Sequence, residues 1–172
     1  MSERFRISLE LNGVERDLWV APHQTLLEAL RDEAGATEVK YGCGEGVCGT
    51  CAVLLDGESV NACLLFAVQV DGRRVTTLRG LPAAEGGLHP LQQRFLEHGG
   101  SQCGFCTPGM LLTAFEFVEA NPAPTREQIR AALAGNLCRC TGYTKILDAV
   151  EAYARDRAGA GGAAAPPGGE GA

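Results

Sequence analysis

Apolar and polar residues alternate through Phe5, Ile7, Leu9 and Leu11, a period of two that predicts a β-strand with one buried face. Asn12-Gly13 follows, a pair suited to hairpin turns because both positions reach positive φ, and Val14, Leu18 and Val20 begin a return strand. Thr25 is placed to cap a short helix that carries Leu26, Leu27 and Leu30 on its apolar side and ends before Gly35. "CAVLLDGESVNAC", residues 51–63, predicts a strand, an Asp56-Gly57 turn and a second strand. "RRVTTL", residues 73–78, supplies one more strand.

From Pro82 the period lengthens. "HPLQQRFLEHGG" has Pro90 at a first helical position and Gly99 at a stop. "TPGMLLTAFEFVEANP" repeats the grammar, with Thr107 as cap, Pro108 inside and Asn121-Pro122 as terminator. "PTREQIRAALAGN" offers a Thr125/Gln128 capping box and a Gly135 stop, and "TGYTKILDAVEAYARDR" is a fourth amphipathic helix. The expected class is therefore α+β: residues 1–82 a strand-rich domain, residues 83–157 a small helical bundle, and residues 158–172, "AGAGGAAAPPGGEGA", a disordered Gly/Ala/Pro tail. No internal repeat is visible.

Charge narrows the partners. A formal net charge of -6 and a pI near 5.1 leave no electrostatic footprint for nucleic acid, and no basic run suggests an anionic membrane surface. The N-terminus shows no signal-peptide pattern, and no stretch approaches the ~20 apolar residues of a membrane span. A cytoplasmic location is expected, where eight cysteines are metal ligands more readily than a disulfide framework.

Cys43, Cys48, Cys51 and Cys63 are spaced C-x4-C-x2-C-x11-C, the plant-type ferredoxin spacing for a 2Fe-2S cluster. A rigid rhombic core needs thiolates from two directions, so one loop wraps it and a separate strand end closes it. Gly42, Gly44, Gly46 and Gly49 suit such a wrap, since residues without Cβ reach positive φ and turn N–H groups toward the sulfurs. Zinc is the alternative, but zinc modules use paired knuckles rather than this spacing. A preceding hairpin fits a β-grasp ferredoxin domain. A second quartet joins "QCGFC" (Cys103, Cys106) to "LCRC" (Cys138, Cys140); on its own it suits either a second cluster or a zinc ion.

"GCGEGVCGTC", "SQCGFCTPGM" and "GNLCRCTGYTKI", in this order, closely resemble the iron–sulfur subunit of the molybdenum hydroxylases, the xanthine dehydrogenase family, over about residues 4–155. The resemblance implies an N-terminal β-grasp plant-type ferredoxin domain, then a C-terminal four-helix bundle with a second 2Fe-2S cluster. It implies partners: a large molybdopterin-binding subunit and a medium FAD-binding subunit, in a heterotrimer or its dimer. Electrons would pass from molybdenum through both clusters to FAD. It also implies that Gln102 and the Cys140 region lie near the pterin. Carbon monoxide dehydrogenase small subunits typically read "CDTS" where this chain reads "CGEG" from Cys43, which favours an N-heterocycle or aldehyde as substrate. A stand-alone two-cluster electron carrier and a module with zinc in the bundle are the alternatives.

The remaining candidates have plain readings. Arg139 either compensates cluster charge or covers apolar surface with its stem. His23, His89 and His98 lack ligand spacing and are expected at the surface or in turns, His89 beside a helix start. Trp19, Phe115 and Phe117 are expected in the core, and Tyr143 beside the second quartet. No Ser/His/Asp set, phosphate loop or paired catalytic carboxylates emerge, so the chain alone performs no bond chemistry.

Overall fold

The alternating N-terminus folds as an antiparallel hairpin, β1 (Phe5–Leu11) with β2 (Val14–Val20), in a computed structural model that describes residues 3–83 and 87–159. Asn12 and Gly13 both take positive φ, 54° and 81°, the turn geometry that matches strand twist. Three shorter strands complete the sheet: β3 (Ala52–Leu55), β4 (Glu58–Asn61) and β5 (Arg74–Thr76). Their order is β2-β1-β5-β3-β4, with β1 and β5 parallel and all other neighbours antiparallel.

Ile7, Leu9 and Leu11 point to one face, where they meet Leu26, Leu27 and Leu30. Thr25 and Glu28 close a capping box on α1 (Leu26–Glu28), and the helix widens into a π-helical turn over Ala29–Glu33. All four residues of β3 are buried, as its unbroken apolar run requires. Val53 and Leu55 serve the first core, whereas Leu54 packs with Leu81 and Leu112 on the opposite face. That strand is the seam between the sheet and the helices.

Four helices follow: α2 (Pro90–Glu97), α3 (Thr107–Ala120), α4 (Arg126–Ala132) and α5 (Thr144–Gly159). Phe95, Met110, Ile129, Ile146 and Tyr153 meet in their shared core. Thr125 and Gln128 form the expected capping box on α4, and Arg126 ties this helix to Asp148 and Glu151 of α5. Gly99 stops α2 at φ 65°. Among the described residues, no helix is long and apolar enough to cross a membrane.

Four expectations need correction. Thr107 is not the cap of α3: it is the first helical residue, Cys106 occupies the cap position, and the Thr107 hydroxyl instead meets Ser101 Oγ at 2.9 Å. Trp19 is 55% exposed, because Leu18 and Val20 take the inward face and a period of two sends their neighbour outward. Phe115 and Phe117 are partly buried against the helical core, as expected. A disordered tail is expected from Ala158, but Ala158 and Gly159 continue α5; the rest of that expectation lies outside the described residues.

The fourth correction is His89, which is 4% exposed and not a surface residue. Its Nδ1 accepts the Leu91 N–H at 3.2 Å while its backbone N–H donates to Gln92 Oε1 at 2.9 Å, so imidazole replaces the usual Ser or Asp cap of α2. The ring packs edge-on against Phe115 and beside Tyr153. Burial, assisted by the nearby Arg157 charge, pushes its pKa down to about 4. A folded pKa below the unfolded 6.5 leaves stability unaffected above pH 6.5 and lowers it as pH falls toward 4, where the unfolded chain takes up the proton and the folded one does not. His89→Asn keeps a capping oxygen but cannot titrate. Between pH 7 and pH 5 the wild type is expected to lose about 2 kcal/mol of unfolding free energy more than this variant. Denaturation of both proteins at the two pH values checks it, and equal losses would exclude His89 as the source.

Candidate metal centres

Eight cysteines stand as free thiols in two groups, each built from two separated pieces of chain. The first piece is the loop between the π-helical turn and β3, which carries Cys43, Cys48 and Cys51. The second is the short 3-10 turn Ala62–Leu64 after β4, which carries Cys63. Because β3 and β4 pair from Ala52↔Asn61 to Leu55↔Glu58, Cys51 and Cys63 sit at the same end of one hairpin. Asn61 Nδ2 also reaches over to donate to Gly46 O at 3.0 Å, fixing the loop against the strand that closes it.

The loop is shaped for sulfur. Gly44, Gly46 and Gly49 have φ of 73°, 77° and 64°, as the wrap requires. Gly42 is not among the positive-φ glycines; its constraint is space, since a Cβ there would stand 2.8 Å from Cys48 Sγ. The Glu45 N–H donates to Cys43 Sγ at 3.3 Å. That bond, with the Cys48 thiol and the Val47 and Cys48 amides, draws the Cys43 pKa down to about 6. Burial instead pushes Cys51 up to about 12, with neighbouring Cys63 and Cys48 adding to the rise. One thiol is poised to ionise, and another ionises only with a compensating cation.

The second group repeats this asymmetry. Cys103 precedes and Cys106 caps α3, while Cys138 and Cys140 lie on the loop between the 3-10 turn Leu133–Gly135 and α5. Cys103 Sγ and Cys140 Sγ are 3.5 Å apart and exposed. Burial pushes Cys106 up to about 12, and the adjacent Cys138 reinforces it. Burial raises Cys138 too, but the Thr141 hydroxyl, 3.1 Å from its Sγ, and the Thr141 and Cys140 amides outweigh it, so this thiol lies below its ordinary range.

Among the described residues, no group of three or more His, Cys, Asp or Glu side chains is arranged to hold one metal ion. Each thiol nonetheless has another of its own quartet beside it: Cys48 acts on Cys43, Cys63 and Cys48 on Cys51, Cys138 and Cys103 on Cys106, and Cys103 lies 3.5 Å from Cys140. Two irons bridged by sulfide accept two thiolates each, so four thiols gathered from two pieces of chain fit a 2Fe-2S core in donor chemistry and number. Gln102 and Arg139 are exposed beside the Cys103/Cys140 pair. His23 and His98 are no part of either group.

Residues that carry no thiol join the two loops. Leu137 N–H donates to Cys48 O at 2.9 Å, and the buried Asn136 Nδ2 donates to Gly49 O at 3.1 Å. Behind them the Tyr143 hydroxyl accepts the Cys138 N–H at 2.8 Å and donates to Asn136 O at 3.0 Å. Tyr143 does lie beside the second quartet as expected, at an unusual φ of 69°. Cysteine spacing gave no hint of Asn136; only its place two residues before Cys138 could have drawn attention to it.

Comparison with known proteins agrees with this geometry. Residues 9–76 match a family described as a 2Fe-2S iron–sulfur cluster binding domain, and residues 77–151 match a second, the [2Fe-2S] binding domain. The small FeS subunit of nicotinate dehydrogenase from Eubacterium barkeri is 49% identical over 154 residues, covering 90% of this chain and 97% of that protein. The small subunit of nicotine 6-hydroxylase from Paenarthrobacter nicotinovorans is 48% identical over 149 residues, covering 87% of this chain and 89% of the other. The crystal structure of quinoline 2-oxidoreductase from Pseudomonas putida 86 contains a chain with a TM-score of 0.87 at 45% identity, covering 93% of this chain and 99% of that one. Two cluster-binding modules in sequence, together with relatives spanned nearly end to end, identify the chain as a 2Fe-2S electron-transfer subunit of the molybdenum hydroxylase family, part of an oxidoreductase and not catalytic alone.

Proposed function

We infer that Cys43, Cys48, Cys51 and Cys63 hold one 2Fe-2S cluster in a β-grasp domain, residues 1–82. Cys103, Cys106, Cys138 and Cys140 hold the other in a four-helix bundle domain, residues 83–157. When bound, each cluster supplies a one-electron carrier. The chain's part is to hold two such carriers at a fixed separation and to present each to a different partner. The observation that carries this reading is the direct bonding of the two cysteine loops, Leu137 to Cys48 and Asn136 to Gly49.

The direction follows from which thiols are exposed. Cys103 and Cys140 lie open on the surface with Gln102 and Arg139 beside them, donors suited to the pterin of a large molybdopterin-binding subunit, and with the exposed Phe105 and Leu137 close by in the chain. Around the other loop no thiol is exposed and the exposed side chains include Tyr41, Glu45, Val47 and Leu64, which suits a protein contact with a medium FAD-binding subunit. On this assignment electrons enter at the bundle and leave from the loop toward FAD, within a heterotrimer or its dimer. Eight free thiols suit a reducing, cytoplasmic compartment. An N-heterocycle is the favoured substrate class, since nicotine, nicotinate and quinoline, which name three similar proteins, are all nitrogen heterocycles. Substrate chemistry belongs to the large partner.

Metal analysis is expected to find about four irons per chain and no stoichiometric zinc, with two distinct 2Fe-2S signals by electron paramagnetic resonance on reduction. One zinc and a single iron signal would sink the assignment. Cys48→Ser removes one thiolate but keeps the backbone carbonyl that Leu137 uses, so it should abolish the loop signal and spare the bundle signal.

Rapid mixing of the assembled complex with substrate tests the order. Cys48→Ser should let substrate reduce the bundle site while flavin reduction stalls, and Gln102→Ala should slow arrival at the bundle site itself. Normal flavin reduction with an unreduced bundle site would mean that the order is reversed.

A further inference from the structure

The contact between the two cysteine loops is closer than packing alone would make it. Gly49 turns at φ 64°, and a Cβ on it would meet Gly135 O at 2.5 Å and Asn136 Nδ2 at 2.6 Å. Gly109, in the first turns of α3, presses on the same loop from the other side: a Cβ there would meet Gly49 O at 2.3 Å and Thr50 O at 3.0 Å. Both backbones approach within a distance that only glycine permits. Into this seam the buried Asn136 extends its amide to Gly49 O. The Asn136 carbonyl is itself held by the Tyr143 hydroxyl, which also accepts the Cys138 N–H. The adjacent residue, Leu137, bonds to Cys48 O.

We propose that Asn136 and Tyr143 are positioning residues that lock the Cys138 loop onto the Cys48 loop and thereby govern electron exchange between the two iron–sulfur sites. This rests on the two-site reading above. The step needs no proton and makes no bond: one electron leaves the reduced site and one arrives at the oxidised site. Electron exchange falls off steeply with separation, so the residues that fix the separation control its rate. No thiol does this job, because each quartet is complete within its own two pieces of chain. Asn136 is the side chain that crosses between them. Tyr143 acts one step behind, closing the turn that presents Asn136 and Leu137 together.

The test uses the iron-loaded full chain, reduced with dithionite, as wild type, Asn136→Ala, Tyr143→Phe and Gly109→Ala. Iron content and the number of signals in the wild type report on the two-site reading alone; fewer than two signals there defeats that reading. Hydrogen exchange of the peptide containing Leu137 reports directly on the lock. Asn136→Ala removes one of the two donors to Gly49 O, leaving only the Ala52 N–H at 3.2 Å, so exchange at the neighbouring Leu137 should quicken about fivefold. With both sites reduced, the spin–spin splitting between the two signals should weaken while iron content holds. Electron equilibration between the sites should slow in the same variants. A purely structural role would lower stability and leave the splitting of the loaded protein unchanged. Unchanged exchange and splitting in an iron-replete Asn136→Ala or Tyr143→Phe overturns the proposal.

Gly109→Ala guards against loss of loading in the other two. It adds a methyl at a helical position, where alanine is otherwise favoured, and wedges the seam without touching a cysteine or Asn136. Weakened splitting with full iron supports the lock, and wild-type splitting overturns it. Loss of bundle iron in all three variants also overturns it, since these contacts would then serve loading and not positioning.

Discussion

Everything in this chain depends on one crowded seam, where the backbone of Gly49 lies against Gly109 on one side and against Gly135 and Asn136 on the other. Each cysteine loop must be irregular, because four thiolates cannot be aimed at one centre from a helix or strand of uniform pitch. Irregular loops are the softest parts of a fold, with few internal backbone bonds to hold them. Here each loop supplies what the other lacks. The Cys48 and Gly49 carbonyls, free of any ladder, receive the Leu137 and Asn136 N–H groups. Behind the seam β3 is buried on both faces, so sheet and helices cannot part without exposing Leu54, Leu81 and Leu112.

Much of the scaffold was legible in the sequence because its signals are local. The period of two in β1, the Asn12-Gly13 and Asp56-Gly57 turns, and the Thr125/Gln128 box each specify a few neighbouring residues, and each element forms where expected. The cysteine spacing was informative for a different reason. Ligand separations along a chain constrain the geometry of what is bound, so C-x4-C-x2-C spoke of a cluster before any fold was known.

What escaped the sequence is non-local. His89 is a buried cap because Phe115 and Tyr153, 26 and 64 residues further on, enclose it; nothing near position 89 announces this. Trp19 is outside because Leu18 and Val20 won the inward face, a decision the whole hairpin makes together. Asn136 looked like an ordinary loop residue, and its role exists only because the chain brings position 49 to it. Gly42 was grouped with its neighbours for conformational freedom, yet it serves space, which only the position of Cys48 Sγ reveals.

The unequal thiols within each quartet tie the fold to its loading. Cys51 is buried and Cys106 partly buried, and desolvation raises both thiols, while Cys43 and Cys138 are surrounded by donors that favour ionisation. A ligand thiolate must be deprotonated, so the donor-rich thiols are the readier ligands and the others need the compensating charge of what they bind. For Cys51 and Cys106 a bound cation would supply the missing counter-charge. Cys48 and Cys138 belong to loops bonded to each other, so the backbone that carries each thiol is steadied by the other loop.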